Sequence, residues 1–273
     1  MSGYHGATEQ RPFEAALAAL PKSEARTKIL LARLNRVAGI PQKADVLDIG
    51  AAQGLFVISC ARLGHRVVGV EPWVEARATA ERVAESVGVT INLIDGVAER
   101  LPFEDSSFDI VRANSVVEHV ADAAAMFREV YRVLRTAGVF WFFTASSMCP
   151  SQGEIRGFPA FGWYPNPFKL RIMNWAKMHR PDLIGYTQYP AVHWFTPWKA
   201  RRMLHNAGFS KVFDRWDLRL PSEGGSLYAL TLSMIRLGTA TKFLADVFLP
   251  DCSYAAIKGG INLPRASEQE LRQ

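Results

Sequence analysis

The sequence predicts a doubly wound α/β fold on a mostly parallel, seven-stranded sheet. Two observations support this prediction. Short apolar runs alternate with helical segments between residues 46 and 144, and the first run ends in a turn of small residues. Strands that consist of continuous apolar residues are typical of parallel sheets with helices on both faces.

The core region follows this alternation closely. An Ala- and Leu-rich segment predicts a first helix over 13–37, which Pro21 is expected to break in two. Further helices are predicted over 55–63, 75–87 and 123–134. Strands are predicted over 46–49, 66–70, 90–94, 108–112 and 139–144.

The alternation stops in residues 146–198, where aromatic side chains crowd among prolines, glycines and basic residues. This composition predicts an inserted cap over the open side of the sheet. A short helix is then expected over 199–207, strands over 209–220 and 226–232, and an amphipathic helix over 239–248.

We expect a single domain over residues 1–273, divided into five parts. They are N-terminal helices (1–43), a binding core (44–145), the cap insertion (146–198), C-terminal strands and a helix (199–263) and a loose polar tail (264–273).

Composition excludes several classes of function. The net charge is +6, but the basic residues are scattered, so no nucleic-acid partner is expected. Three cysteines without disulfide or metal-ligand spacing predict a reducing, cytoplasmic location and no metal site. We find no signal-peptide core near Met1 and no apolar stretch long enough to cross a bilayer.

The motif Val-Leu-Asp-Ile-Gly-Ala-Ala-Gln-Gly occupies residues 46–54. Its small residues let a ligand approach the backbone, and the following helix start offers free N–H groups. A nicotinamide or flavin fingerprint needs further glycines where Ala52 and Leu55 stand, which disfavours an oxidoreductase. Taken alone, the turn also fits an ordinary strand–helix connection.

The second strand ends in a carboxylate, Glu71. The carboxyl ends of adjacent parallel strands border one crevice, so Glu71 is expected beside the Gly50 turn, where it could accept hydrogen bonds from a ribose diol. An acidic residue at a helix start is the alternative explanation. The pairing with Asp48 and Gly50 favours a binding site.

Together these segments resemble the class I S-adenosylmethionine-dependent methyltransferases, in particular the group that includes the ubiquinone and menaquinone methyltransferases. The resemblance covers residues 46–144, roughly a third of the chain. It rests on Asp48 to Gly54, Glu71, Leu101-Pro102-Phe103 and Phe108-Asp109-Ile110-Val111, in the family's order and spacing. The stretch from Glu99 to Asp109 is more specific than the glycine turn.

The resemblance implies S-adenosylmethionine as the cofactor and S-adenosylhomocysteine as its product. By the resemblance, Asp48 steadies the turn or the methionine amine, Gly50 lets the cofactor pass closely, and Glu71 holds the ribose hydroxyls. The implied cofactor contacts are Asp48, Gly50, Ala51, Gly54, Glu71, Pro72, Asp95, Gly96, Val97, Ala98 and Asn114.

One departure from the family pattern concerns the adenine. The family commonly has the stretch Gly-Asp-Ala-Glu here, with the acid directly after the glycine. This chain has Gly-Val-Ala-Glu over residues 96–99, so Val97 stands in place of that acid. The resemblance leaves Asp95, or the backbone of Val97 and Ala98, to make that contact. It also places the backbone of Asn114 next to the methionine portion.

Methyl transfer to a hydroxyl or amine requires alignment of donor and acceptor and the loss of a proton. His119, after the fourth strand, and His193, at the end of the insertion, are the two candidate bases. Each also fits a structural role, His119 as a hydrogen-bonding residue and His193 as a capping or packing residue.

The expected function is methyl transfer to a small-molecule acceptor by O-, N- or C-methylation, with the aromatic insertion forming the acceptor pocket. Basic residues in the insertion leave an anionic or lipid-linked acceptor and peripheral membrane contact open. A catalytically silent cofactor-binding or assembly module is the alternative. An RNA methyltransferase is disfavoured because no basic run is present, and the sequence leaves the oligomeric state open.

Overall fold

The computed structural model describes residues 10–150, 155–184, 191–249 and 251–259, so the predicted tail over 264–273 lies outside the described residues. A seven-stranded sheet runs through the described part of the chain. In chain order the strands are β1 (Asp45–Ile49), β2 (Arg66–Val70), β3 (Leu93–Ile94), β4 (Phe108–Asn114), β5 (Leu134–Ala145), β6 (Phe209–Asp214) and β7 (Asp251–Lys258).

The strands lie in the order β3-β2-β1-β4-β5-β7-β6, and the first five pair in parallel. Strand β7 is antiparallel to both β5 and β6. Ile49 at the end of β1 pairs with Val70 of β2 and Ala113 of β4, so three carboxyl ends are level at one edge. The predicted doubly wound, mostly parallel fold is confirmed.

Helices cover both faces of this sheet. In chain order they are α1 (Gln10–Ala38), α2 (Leu55–Arg62), α3 (Val74–Ser86), α4 (Ala123–Val133), α5 (Asn166–His179), α6 (Pro197–Asn206), α7 (Arg215–Leu218), α8 (Ser226–Ile235) and α9 (Thr239–Val247). Within the described ranges, none of these helices combines the length and apolarity that crossing a bilayer requires.

Two apolar layers hold the helices to the sheet. On one face, Phe127 of α4 and Leu204 of α6 share a buried cluster with Phe140 of β5. On the other face, Leu34 of α1 is buried with Val46 of β1. Complete burial of side chains of this size contributes roughly 2 kcal/mol each to folding. The second layer fixes α1 beside the level strand ends.

The predicted break at Pro21 is wrong, because α1 continues through it. Pro21 is exposed, so its ring faces solvent. The helix loses one backbone hydrogen bond there. Leu20 and Leu34, on either side of the proline, are buried in separate apolar clusters. This burial offsets the lost hydrogen bond and keeps the helix in one piece.

The C-terminal prediction is partly wrong. The strand expected over 209–220 ends at Asp214, whose side chain accepts hydrogen bonds from the first N–H groups of α7. The segment expected as a strand over 226–232 lies in α8. A short apolar run has no decisive periodicity, so helix and strand are hard to distinguish there. The seventh strand is instead β7.

The insertion over 146–198 contains an aromatic cluster with its own small core. Phe161, Met173 and Trp194 are buried together in it. A bridge between Ser146 and Phe195 joins the two ends of the insertion directly after β5. Most of its buried aromatic surface therefore stabilises the insertion itself.

Candidate active site

The turn after β1 has a backbone that only glycine fits. Gly50 has a φ of +71°, and a Cβ there would lie 2.3 Å from Cγ2 of Val116. The Gly50 N–H donates to the carbonyl of Val70 at 2.8 Å, which fixes the turn against the end of β2. Gly54 has a φ of +69°, and a Cβ added there would lie 2.8 Å from the Cβ of Ala80. Glycine therefore allows the start of α2 to pack closely against α3. A ligand at this turn would meet bare backbone.

Glu71 lies beside this turn, as the sequence predicts. Its carboxylate is buried and accepts a hydrogen bond from the Ala52 N–H at 2.8 Å and another from the Trp73 N–H at 3.0 Å. Each carboxylate oxygen keeps a second lone pair that could accept from a hydroxyl. Glu71 therefore connects the end of β2 to the turn and retains acceptor capacity.

Asp48 is the most unusual charge at the strand ends. Its side chain is 1% exposed, and its Oδ1 accepts a hydrogen bond from Arg112 at 2.6 Å. Its Oδ2 is buried without a hydrogen-bond partner. Burial raises the pKa of Asp48 to about 6, although the Arg112 charge opposes that rise. A buried carboxylate oxygen without a donor is costly, so this atom indicates a place for a donor from a ligand.

Aromatic rings hold the Arg112 guanidinium in place. Its central carbon lies 4.2 Å from the ring centre of Phe56 and 5.7 Å from that of Trp141. Stacking on two rings restricts the guanidinium, so the positive charge of Arg112 faces Asp48 from a fixed direction.

A cavity of about 510 Å³ opens at this place. Asp48, Gly50, Ala51 and Asn114 line it, so four of the predicted cofactor contacts share one space. The opposite wall belongs to α1, which sequence reasoning missed because no motif marks it. The α1 residues are Ala19, Lys22, Ser23, Arg26, Thr27, Ile29, Leu30 and Arg33.

The α1 wall makes the cavity rim cationic. Lys22 and Arg26 are exposed at the rim, whereas Arg33 donates to Glu223 at 2.6 Å. Only Asp48 among the lining residues carries a negative charge. The cavity therefore combines a cationic rim with one buried carboxylate, an arrangement that suits a zwitterion.

Asp95, Gly96 and Val97, the predicted adenine contacts, line a second cavity of about 710 Å³. The Asp95 side chain is 74% exposed and pairs with Arg77 at 3.1 Å. Ala98 is buried and does not line this cavity. The Asp95 carboxylate is thus at the mouth of the space, held by a cation.

Pro72 is exposed, directly after Glu71 at the end of β2. The structure does not place this residue in either cavity. Its contact with the cofactor stays a prediction from the family resemblance.

The structure brings the two histidine segments together. The N–H groups of Val192 and His193 both donate to the carbonyl of Glu118, at 2.8 and 3.1 Å. The His193 ring makes hydrogen bonds to the backbone at Val120 and Ala121, and its Nε2 is buried without a partner. Neither His119 nor His193 lines the 510 Å³ cavity.

His193 lies in an environment that disfavours its charged form. Burial lowers the pKa of His193, and the nearby Lys199 lowers it further. The ring is therefore neutral at pH 7.

Glu118 is a further buried group that the sequence analysis did not single out. It is 1% exposed, and its Oε2 accepts a hydrogen bond at 2.7 Å from Oγ1 of Thr144 at the end of β5. The signal in the sequence is a charged residue inside the apolar stretch 116–120. In the described ranges, no group of three or more His, Cys, Asp or Glu side chains has a metal-binding arrangement.

Comparison with protein families places these features in a known context. Residues 47–142 match the family model described as a methyltransferase domain. The match begins within β1 and ends within β5, and it includes Asp48, the Gly50 turn and Glu71. The chain carries a class I S-adenosylmethionine-dependent methyltransferase domain. Within this part of the chain the sequence is similar to quinone methyltransferases.

Two curated relatives are both ubiquinone biosynthesis O-methyltransferases by name. The protein of Methylobacterium sp. (strain 4-46) is 35% identical over 139 residues, which cover 50% of this chain and 54% of the relative. The protein of Azorhizobium caulinodans is 36% identical over 94 residues, covering 34% of this chain and 37% of the relative. The chain thus spans about half, or less, of the length of these relatives.

Solved structures support the fold over a longer stretch. The crystal structure of YcgJ from Bacillus subtilis superposes with a TM-score of 0.52 at 17% identity, covering 85% of this chain and 99% of that one. The methyltransferase domain and its flanking helices therefore share the architecture of that protein.

Proposed function

We propose that this chain binds S-adenosylmethionine across the ends of β1, β2 and β4 and transfers its methyl group to a small-molecule acceptor. The single observation that supports this most is the buried, unpartnered Oδ2 of Asp48 in a cavity beside a turn that only glycine fits. The names of the curated relatives favour O-methylation of an aromatic, quinone-type acceptor.

The residues at the strand ends fit each part of this cofactor. The Asp48 Oδ2 can accept from the ammonium of the methionine portion, and Lys22 and Arg26 can attract its carboxylate. Glu71 can accept from the ribose hydroxyls through its remaining lone pairs. The cavity at Val97 offers room for the adenine.

When bound, this cofactor supplies an activated methyl group on a sulfonium. The chain has to hold the acceptor in line with that group and exclude water. A hydroxyl acceptor must also give up its proton, and His193 is the better candidate base because burial lowers its pKa and keeps its ring neutral. His119, half-buried on the adjoining loop, is the alternative.

Isothermal titration calorimetry with S-adenosylhomocysteine tests the binding half of this proposal. Asp48→Ala should weaken binding by about tenfold or more, because a charged hydrogen bond is lost. Asp182→Ala is the matched control, since that exposed carboxylate pairs only with Arg180 among the interactions described, and its affinity should equal that of the wild type. No heat with the wild-type protein would refute the assignment.

Turnover tests the other half. Formation of S-adenosylhomocysteine should be measured with aromatic hydroxyl acceptors for the wild type, His193→Ala and His119→Ala. Loss of turnover in His193→Ala, with cofactor binding intact, supports His193 as the base. Full activity in both variants would remove both histidines. Binding without turnover for every acceptor would favour the alternative, a silent cofactor-binding module.

A further inference from the structure

Helices α8 and α9 lie between β6 and β7 and present an apolar outer face. We call this face the hairpin surface. Its most exposed members, Leu227, Leu237 and Phe248, are 79%, 80% and 79% accessible. The hairpin surface consists of Leu227, Leu230, Met234, Leu237, Phe243, Leu244 and Phe248. So large a set of neighbouring exposed apolar side chains is unusual on a protein surface that stays in water.

The charged residues of these helices point the other way. Arg236 donates to the carbonyls of Trp216 at 2.8 Å and Arg219 at 2.6 Å. Lys242 pairs with Asp214 at 3.1 Å. No other cation occurs between residues 226 and 248.

The one acid of this segment is also turned inward. Asp246 accepts a hydrogen bond from the Trp216 indole at 2.8 Å. Every exposed residue from 226 to 248 is therefore uncharged. This arrangement is the reverse of an amphipathic surface helix in water, because the apolar side faces outward and the charges face the protein.

An aromatic and a cation border the hairpin surface. Trp198 on α6 is 57% exposed and stacks on Phe243, with ring centres 6.2 Å apart. Arg202 follows one turn later on α6 and is also exposed. Tryptophan and arginine at the edge of an apolar surface are characteristic of residues at a membrane–water interface.

The residues that the structure does not describe lack the composition to cover the hairpin surface. These residues, 1–9, 151–154, 185–190, 250 and 260–273, contain no apolar run. A protein interface usually surrounds its apolar centre with charged groups, whereas no exposed residue from 226 to 248 is charged and the border adds the single cation Arg202. We propose that the hairpin surface docks the protein on the interface of a lipid bilayer.

Flotation of the full-length chain with phosphatidylcholine vesicles tests this proposal. The wild type should float with these neutral vesicles and remain bound in high salt, because the hairpin surface has no charge. The double variant Leu230→Glu/Leu244→Glu should float at least about tenfold less, since a charge at the interface opposes insertion. Both positions are at least 59% exposed, and circular dichroism checks that the fold is intact.

Two further variants complete the test. Val74→Glu places one such charge at a 57% exposed apolar position on α3 and should float as the wild type does. Leu237→Gln removes apolar surface without adding charge and should float less.

Three outcomes would overturn the proposal. The first is full flotation of the double variant. The second is binding that requires anionic lipid and disappears in high salt, which would indicate the scattered basic surface instead. The third is a wild type that does not bind vesicles but dimerises in sedimentation velocity through the hairpin surface. A second copy of the chain, and not a bilayer, would then cover this surface.

Discussion

The buried carboxylate of Asp48 should make the folded protein less stable as the pH rises from about 4 to about 6. Burial raises its pKa from 3.8 to about 6. Between these two values the folded state binds more protons than the unfolded state does. The free energy of unfolding therefore decreases with rising pH in this window, which is the reverse of the usual behaviour of a salt-bridged carboxylate.

The magnitude follows from the size of the shift. One pKa unit corresponds to about 1.4 kcal/mol. The shift of Asp48, from 3.8 to about 6, therefore corresponds to roughly 3 kcal/mol once the pH exceeds the folded pKa. The Arg112 charge is already included in that shift, because it lowers the pKa that burial alone would produce.

Urea unfolding of the wild type and of Asp48→Asn, each at several values of pH, isolates this contribution. Asparagine has the same shape and does not titrate. The variant also leaves Arg112 without its acid, but that cost is nearly constant over this pH range. The stability of the wild type relative to the variant should therefore decrease by roughly 2.5 kcal/mol between pH 4 and pH 7.

Parallel curves for the two proteins would refute the reasoning, as would a difference that grows with pH. Calorimetry with S-adenosylhomocysteine adds an independent check of the proposed function. If the ionised Asp48 accepts from the ligand ammonium, affinity should increase as the pH passes about 6 in the wild type and stay level across that pH in Asp48→Asn.

Three other predictions concern single positions. Gly50→Ala should lower the free energy of unfolding by more than about 1 kcal/mol, because the added Cβ would collide with Val116. Gly64→Ala, at a φ of +87° with no atom within 4 Å of the added Cβ, should lose only the cost of a positive φ. Equal losses of the two variants in thermal melts would contradict the collision with Val116. Asp214→Ala should cost about 2 kcal/mol or more in urea unfolding, because it removes the N-cap of α7 and a partner of two cations, and a loss below about 0.5 kcal/mol would contradict this role. Burial lowers the pKa of Lys169 to about 8, so the wild type should become more stable relative to Lys169→Met as the pH rises above 8, and stability curves that stay parallel above that pH would contradict the shift.

The sequence predicted the core from β1 to β5 well because each strand is a short apolar run between clear turns. Strand β2 begins and ends where the sequence placed it, at Arg66 and Val70. Glu71 also lies beside the Gly50 turn, as parallel topology requires. Local pattern and overall fold agree in this region, and the pattern was sufficient.

The rest depended on contacts between distant segments. The residues 226–232 have the apolar content of a strand, but no neighbouring strand pairs with them, and they form α8. Strand β7 was missed because its place is set by β5 and β6 on either side. The cationic wall formed by Lys22 and Arg26 has no motif, because it becomes part of the site only when α1 packs against the strand ends.

The pairing of Asp214 with Tyr254 closes the segment 215–250 at its base, since the last residue of β6 faces the middle of β7. A segment whose two ends already meet in the sheet can change length at little cost, since doubling a loop adds only about 0.6 kcal/mol of closure entropy. The exposed turns of this excursion can therefore lengthen while the strand register is preserved. The contact of Glu223 with Arg33 is where such remodelling would reach the cavity rim.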